Sequence, residues 1–437
     1  MKGKLLVDCN DKGAEYLEAQ LHDLIGKVRD AIQRTVESIA KASNADGIVS
    51  LVDNGNGVLE EGRYIKDKLS VECNDKGAEF LEARVSGCLP LSQLLSQDRS
   101  QLLSKWFDKL VTDPVESDTT PLVIVQFNMF ECGGVAIGAC IAHRVADGLS
   151  CFNFIETWAK ISRVGLANLE FCPSFKLGSL FPSRDNVPAP GKSNNASGDV
   201  CFTMKRLVFS AEAISNLKAI VTSSTSTNDS ESWKYRPTRV EVVLAFIWMC
   251  LIRLNKARHG YFRPSLLSTA VSMRKKTILP IPENSFGNTL TRAVARFFPD
   301  DYQDSEGNVQ LQDLAKKIHH AIKSSVENVG KASNADEIVS LIDNANEELF
   351  KGRDEPDTDC YISSSWCRFP IYEADHGWGK PSWVTMPLNQ KLRNVIVLVD
   401  TFDGDGVEAL VTLDENGMHI FEQDPEIIPF LGQDAQA

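Results

Sequence analysis

Two apolar, β-branched runs lie close together, Pro121–Asn128 (PLVIVQFN) and Gly134–His143 (GVAIGACIAH), with Glu131-Cys132-Gly133 between them. Neither run has a polar face, so both are expected as strands of a buried sheet. The second run ends on His143, and His143-Arg144-Val145-Ala146-Asp147-Gly148 leads straight into Leu149–Val164. There Phe152, Phe154, Ile155, Trp158 and Ile161 fall at helical spacing. A histidine at a strand end has a rigid mount, and a neutral imidazole accepts a proton near pH 7 because its ordinary pKa is ~6.5. By itself the HxxxD spacing is weak, since a satisfied core histidine reads the same way.

The rest of the chain alternates strands and helices. Lys68–Val85 reads as a hairpin around a CNDKG turn, and Leu89–Val111 as mainly helical. Pro173–Ser197, rich in Pro, Gly, Ser and Asn, marks an interdomain crossover, and Thr222–Tyr235 a second polar loop. Thr238-x-x-Glu241 is a capping-box pattern ahead of a buried helix over Val240–Leu254. Leu311–Val329 is expected as a helix. Ser268–Ser272, Val384–Met386, Val395–Val399, Ala409–Leu413 and the short Met418–Phe421 are expected as strands. This order points to an α/β (α+β) chain of two domains.

Charge and cysteine usage narrow the partners. The net charge of −13 argues against nucleic acid as the main partner. No apolar run reaches the ~18 residues that cross a bilayer, and Met1-Lys2-Gly3-Lys4-Leu5 opens no signal sequence. A cytoplasmic protein without membrane partner is expected, with its 11 cysteines as free thiols. No cluster has zinc-ligand spacing, so no metal is expected, and His319-His320 reads as a surface pair. A monomer is expected, because no heptad pattern is present.

The first residues repeat later ones. Lys4–Gln20 (KLLVDCNDKGAEYLEAQ) is nearly a copy of Lys68–Arg84 (KLSVECNDKGAEFLEAR), and His22–Arg63 aligns with Gln312–Arg353 around a shared KASNAD. The two copies lie at different distances from their originals, so this is no solenoid. It reads as a duplication or as a misassembled gene.

Three further motifs give the histidine its context: Ser272-Met273-Arg274-Lys275-Lys276, Glu283-Asn284-Ser285-Phe286-Gly287-Asn288, and Asp375-His376-Gly377-Trp378-Gly379-Lys380-Pro381. In this order, from about Tyr64 to the end, they resemble the plant BAHD (HxxxD) acyl-CoA-dependent acyltransferases. Their texture resembles the vinorine synthase-like alkaloid O-acetyltransferases. The resemblance implies a two-domain, chloramphenicol-acetyltransferase-like fold with mixed sheets flanked by helices and an active-site channel between the domains. It implies an atypical segment at 1–63, an N-terminal acyltransferase domain at 64–182, a linker at 183–200 and a C-terminal domain at 201–437. It implies an acyl-CoA, acetyl-CoA foremost, as co-substrate with no tightly bound cofactor, and a small-molecule alcohol such as an alkaloid as acceptor.

The same resemblance assigns residues. His143 matches the family's general base. Asp147 matches the motif's second residue, which shapes the site, and Arg274 the arginine that pairs with it. Asp375, Trp378 and Gly379 match the second signature; Asp375 is placed with His143 in the catalytic set, and Trp378 is a candidate donor to the tetrahedral oxyanion. Lys275 and Lys276 are candidates for coenzyme A phosphates, against a solvated basic turn. Asn284, Gly287 and Asn288 are placed in a tight turn near the coenzyme. His376 stands where the family has phenylalanine. The family's first strand and helix have no counterpart in residues 1–63, so an inactive pseudoenzyme competes with the enzyme reading. Condensation-domain chemistry is weaker because Arg144, not a second histidine, follows His143, and α/β-hydrolase chemistry lacks a GxSxG elbow.

Overall fold

The computed structural model describes residues 78–85, 91, 122–143, 145–164, 173–181, 201–223, 236–301, 309–386 and 393–431. Both N-terminal copies, the first arm of the expected hairpin, the Leu89–Val111 segment apart from Leu91, and residues 182–200 lie outside them.

The first sheet contains β1 (Glu79–Val85), β2 (Val123–Phe130) and β3 (Val135–Ile141). β2 is central, parallel to β1 and antiparallel to β3, and buried along most of its length as its apolar run requires. Gly133 closes the β2–β3 turn at φ 81°, a left-handed conformation that glycine adopts at little cost. α1 (Gly148–Val164) follows the HxxxDG segment. Its Trp158 and Ile161 pack on Val125 of the first sheet, while Phe152 packs on Trp366 and Phe369 from the second half of the chain. One helix thus joins the two halves.

The second sheet is six-stranded and mixed, in the order β4-β9-β8-β7-β5-β6. Its strands are β4 (Phe202–Phe209), β5 (Ser265–Ser272), β6 (Leu290–Phe297), β7 (Asp359–Ser365), β8 (Val395–Asp400) and β9 (Val407–Asp414). The period-two alternation of β8 divides its core: Ile396 and Leu398 face one cluster, Val395, Val397 and Val399 the other. On the first face lies α4 (Arg239–His259), buried along Val242–Ile252 on every side, flanked by α3 (Ala211–Ser223) and α5 (Leu311–Lys331). A helix apolar all round belongs inside a core. The capping box forms as expected: the Thr238 hydroxyl accepts from Glu241 N, and the Glu241 carboxylate accepts from Thr238 N at 2.7 Å. α6 (Ala335–Asp354) adds Leu349 to the opposite face.

Three expectations are corrected. Val384–Met386 is not a strand; Trp383, Val384 and Met386 are apolar because they pack on the second face, without ladder partners. Met418–Phe421 lies in a helix, α7 (Glu415–Glu422). Asp414 caps it by accepting from Gly417 N, and Met418 and Phe421 are one turn apart on its buried side. The start of the supposed crossover is packed structure: Ser174 bridges to Ser285, and α2 (Leu177–Leu180) with Phe181 joins a core containing Met273, Ile281, Val329 and Ile338.

His319 lies partly exposed on α5 and meets Glu241 at 2.8 Å, tying α5 to the cap of α4. The described cysteines are all free, Cys250 buried and Cys201 exposed. Among the described residues no helix is long and apolar enough to cross a membrane, and no group of three or more side chains has metal-ligand geometry.

Candidate active site

His143 stands two residues beyond β3, half-buried, at the start of the turn into α1. The Nδ2 of Asn288, a fully buried residue, donates to its carbonyl oxygen at 2.6 Å and fixes the backbone that carries the imidazole. The main chain at His143 is thus anchored from the other half of the molecule.

Asp147 is fully buried and is the N-cap of α1. Its Oδ1 accepts from Ser150 N at 2.9 Å, and its backbone oxygen accepts from Cys151 N. Arg274, two residues beyond β5, makes a two-pronged contact: Nη1 to Oδ2 at 2.7 Å and Nη2 to Oδ1 at 3.1 Å. Thr289 completes the set by donating from its N and Oγ1 to Oδ2. Both carboxylate oxygens are therefore occupied. Asp147 holds shape, in keeping with a buried charge that is paired and hydrogen-bonded.

Arg274 also organises the ENSFGN loop. Its Nη2 donates to the carbonyls of Ser285 and Gly287 and to Ser150 Oγ. Gly287, at φ 136°, donates from its N to Ser150 Oγ at 3.2 Å. Asn284 presents its carbonyl to Ser174 N. The loop thus closes on the HxxxDG segment from one side and on residues 173–175 from the other. Gly287 and Asn288 belong to this junction, and Asn284 to its outer edge.

The two lysines separate. Lys275 takes a left-handed φ of 61° and pairs with Glu283, both well exposed, which matches the solvated turn. Lys276 is half-buried, and burial lowers its pKa. Among the described residues it has no carboxylate at ion-pair distance.

The Asp375–Lys380 signature folds over α1. Asp375 Oδ1 accepts from Gly377 N at 2.8 Å and Gly379 N at 3.0 Å, and Oδ2 accepts from Arg163 of α1 at 3.2 Å. Partial burial works against its ionisation, but the two glycine N–H groups and then Arg163 outweigh it, holding the carboxyl below its ordinary range. Its oxygens are engaged by the turn and by Arg163. Gly377 and Gly379 supply φ of 110° and 121°. His376 is buried, stacked on Trp378 at 4.9 Å, edge-on to Trp158 at 4.7 Å, with Nδ1 3.4 Å from Ser162 Oγ. Burial pushes its pKa down to about 4, so it is a neutral ring in place of the family's phenylalanine. The Trp378 indole meets Phe127 of β2 edge-on.

Sequence reading missed Ser150, Thr289 and Arg163. Ser150 was legible as the third helical position after an Asp N-cap. Thr289 and Arg163 act through contacts distant in sequence, which leave no local signal.

Relatives give this geometry its class. The model of the family described as "Transferase family" matches residues 58–428. Akuammiline synthase 1 of Alstonia scholaris is 35% identical over 371 residues, covering 84% of this chain and 80% of that protein. Acetyl-CoA-benzylalcohol acetyltransferase of Clarkia breweri is 32% identical, covering 85% of this chain and 83% of that one. The crystal structure of vinorine synthase superposes with a TM-score of 0.65 at 29% identity, over 84% of this chain and 79% of the other. The chain belongs to this transferase family, the BAHD acyltransferases, and is an acyltransferase with the chloramphenicol-acetyltransferase-like fold.

Proposed function

We propose that this chain is an acyl-CoA-dependent O-acyltransferase that moves an acetyl group to a hydroxyl of a plant specialised metabolite such as an alkaloid, with His143 as general base. The observation that carries the reading is the junction around His143: its backbone is held by Asn288, and the neighbouring carboxylate is consumed by Arg274, Ser150 and Thr289. In this reading the imidazole takes the acceptor proton. The deprotonated oxygen attacks the thioester carbonyl, the C–S bond of the tetrahedral intermediate breaks, and the imidazolium returns its proton to the departing thiolate of coenzyme A. Lys276, half-buried without a carboxylate, suits a coenzyme phosphate better than Lys275, whose charge Glu283 meets. The acetyl preference and the alkaloid acceptor rest on the names of the relatives.

The intact junction favours an enzyme over an inactive chain. The test is thiol release from acetyl-CoA by the full chain with a panel of alcohols, beside thermal melts with and without acetyl-CoA. A donor at 100 times its Kd adds ~2.7 kcal/mol. Release with at least one alcohol, and an upward shift of the melt, are expected. Neither response would establish the inactive reading.

A further inference from the structure

β6 and α6 hold a second concentration of charge that the proposed reaction does not use. Arg292 of β6 donates from Nε to Asn346 Oδ1 of α6 at 3.1 Å. Asn346 is 3% exposed, and its Nδ2 is buried without an acceptor among the described residues. Arg353 lies two turns further along α6 on the same side, half-buried. Among the described residues neither Arg292 nor Arg353 has a carboxylate at ion-pair distance. Arg296, two side-chain repeats further along β6, shows what the fold provides when it neutralises an arginine here: Glu348 of α6 at 2.8 Å.

Arg292, like Arg353, is half-buried, and cations withdrawn from water are ordinarily paired. This cluster has two guanidiniums and a buried amide donor, and no anion. Burial, and then the charge of Arg353, push the Arg292 guanidinium down to about 10, as expected where like charges share a site without a counter-charge. Burial also lowers Arg353; Arg393 adds positive charge there, and Asp354 and Cys360 act in the opposite sense. Thr289, which binds Asp147, directly precedes β6; Arg292 follows it by about 10 Å at the rise of a strand, and at three residues' offset its side chain leaves from the other face.

We propose that Arg292, Arg353 and Asn346 form an oxyanion subsite that binds a phosphate or carboxylate group of a substrate. The source of that group rests on the acyl-CoA reading above; the binding of an oxyanion does not. Two sources share the chemistry, the phosphates of the coenzyme and a carboxylate at the end of a dicarboxylic acyl group.

The test uses the full chain. Thermal melts are taken in inorganic pyrophosphate, malonate and chloride at equal ionic strength, for the wild type, R292Q and R353Q. Pyrophosphate or malonate is expected to raise the wild-type melting temperature by a few degrees over chloride, and each variant is expected to lose that rise. If R292Q fails to fold, R353Q carries the test. Donor kinetics then identify the source. A roughly tenfold rise in KM for acetyl-CoA in the variants, absent with 3′-dephospho-CoA thioesters, assigns the phosphate. A rise confined to malonyl-CoA assigns the carboxylate. An anion-dependent rise without any acyl transfer would sink the acyltransferase reading and leave the subsite standing. A wild-type melt indifferent to both anions, or the same rise in both variants, overturns the proposal.

Discussion

Two Asp–Arg pairs connect α1 and its leading turn to the second half of the chain, and their surroundings are opposite. Asp147 and Arg274 are almost entirely shielded, with 0% and 3% of their side chains exposed. Asp375 and Arg163 keep 25% and 44%. In the first pair every carboxylate oxygen meets several donors from different segments of the chain. In the second the carboxylate mainly satisfies two N–H groups of its own turn, and the arginine is an addition. The same two residue types therefore do different work. The buried pair assembles the segments around His143; the exposed pair trims a turn whose position is set by His376 and Trp378 packing on Trp158 and Phe127. Solvent screening is the physical reason, since exposed pairs contribute little while removing one partner of a buried pair strands a charge.

The contrast has measurable consequences. Asp147→Ala is expected to cost about 3–5 kcal/mol, because Arg274 is left buried without its carboxylate. In denaturant unfolding, a loss below about 1 kcal/mol would erase the distinction between the pairs. His376 gives the next effect, and its sign follows from its low pKa. The folded ring resists protonation down to about 4, whereas the unfolded ring protonates near 6.5. Its contribution to stability is complete above pH 6.5 and is lost as the pH falls towards 4. His376→Phe is therefore expected to match the wild type at pH 8, within about 1 kcal/mol, and to exceed it by about 2 kcal/mol at pH 5. Parallel stability–pH curves for the two would contradict this. Asp375→Ala removes the acceptor of two turn N–H groups that solvent partly reaches, for an expected loss of about 1 kcal/mol. Arg163→Ala should come last, within about 0.5 kcal/mol. An Arg163 effect larger than that of Asp375 would mean that the ion pair, not the turn, holds this signature in place.

What the sequence disclosed follows the range of the interactions. β2, β3, α1 and α4 were legible because their patterns are local: β-branched runs, helical periodicity, and Thr238 and Glu241 three residues apart. Met418–Phe421 misled because a four-residue apolar stretch has no period of its own; the Asp414 cap decides for helix. Val384–Met386 misled because burial without pairing looks like a strand. At the site, the Asp147–Arg274 pairing came from resemblance to a family, since nothing local links residues so far apart. The donors Ser150 and Thr289, the tie from Asn288 to the His143 carbonyl, and the separation of Lys275 from Lys276 required the three-dimensional packing. Asp375, grouped with the base on the strength of its motif, has its oxygens engaged by its own turn and by Arg163.

The most direct test of the account is His143→Ala, assayed for acetyl transfer beside a thermal melt. The carbonyl that Asn288 holds belongs to the backbone and survives the substitution, so the melting temperature should stay within a few degrees. Acetyl transfer should fall by ~10²–10⁴. A variant that folds normally and transfers at the wild-type rate would show that His143 is not the base.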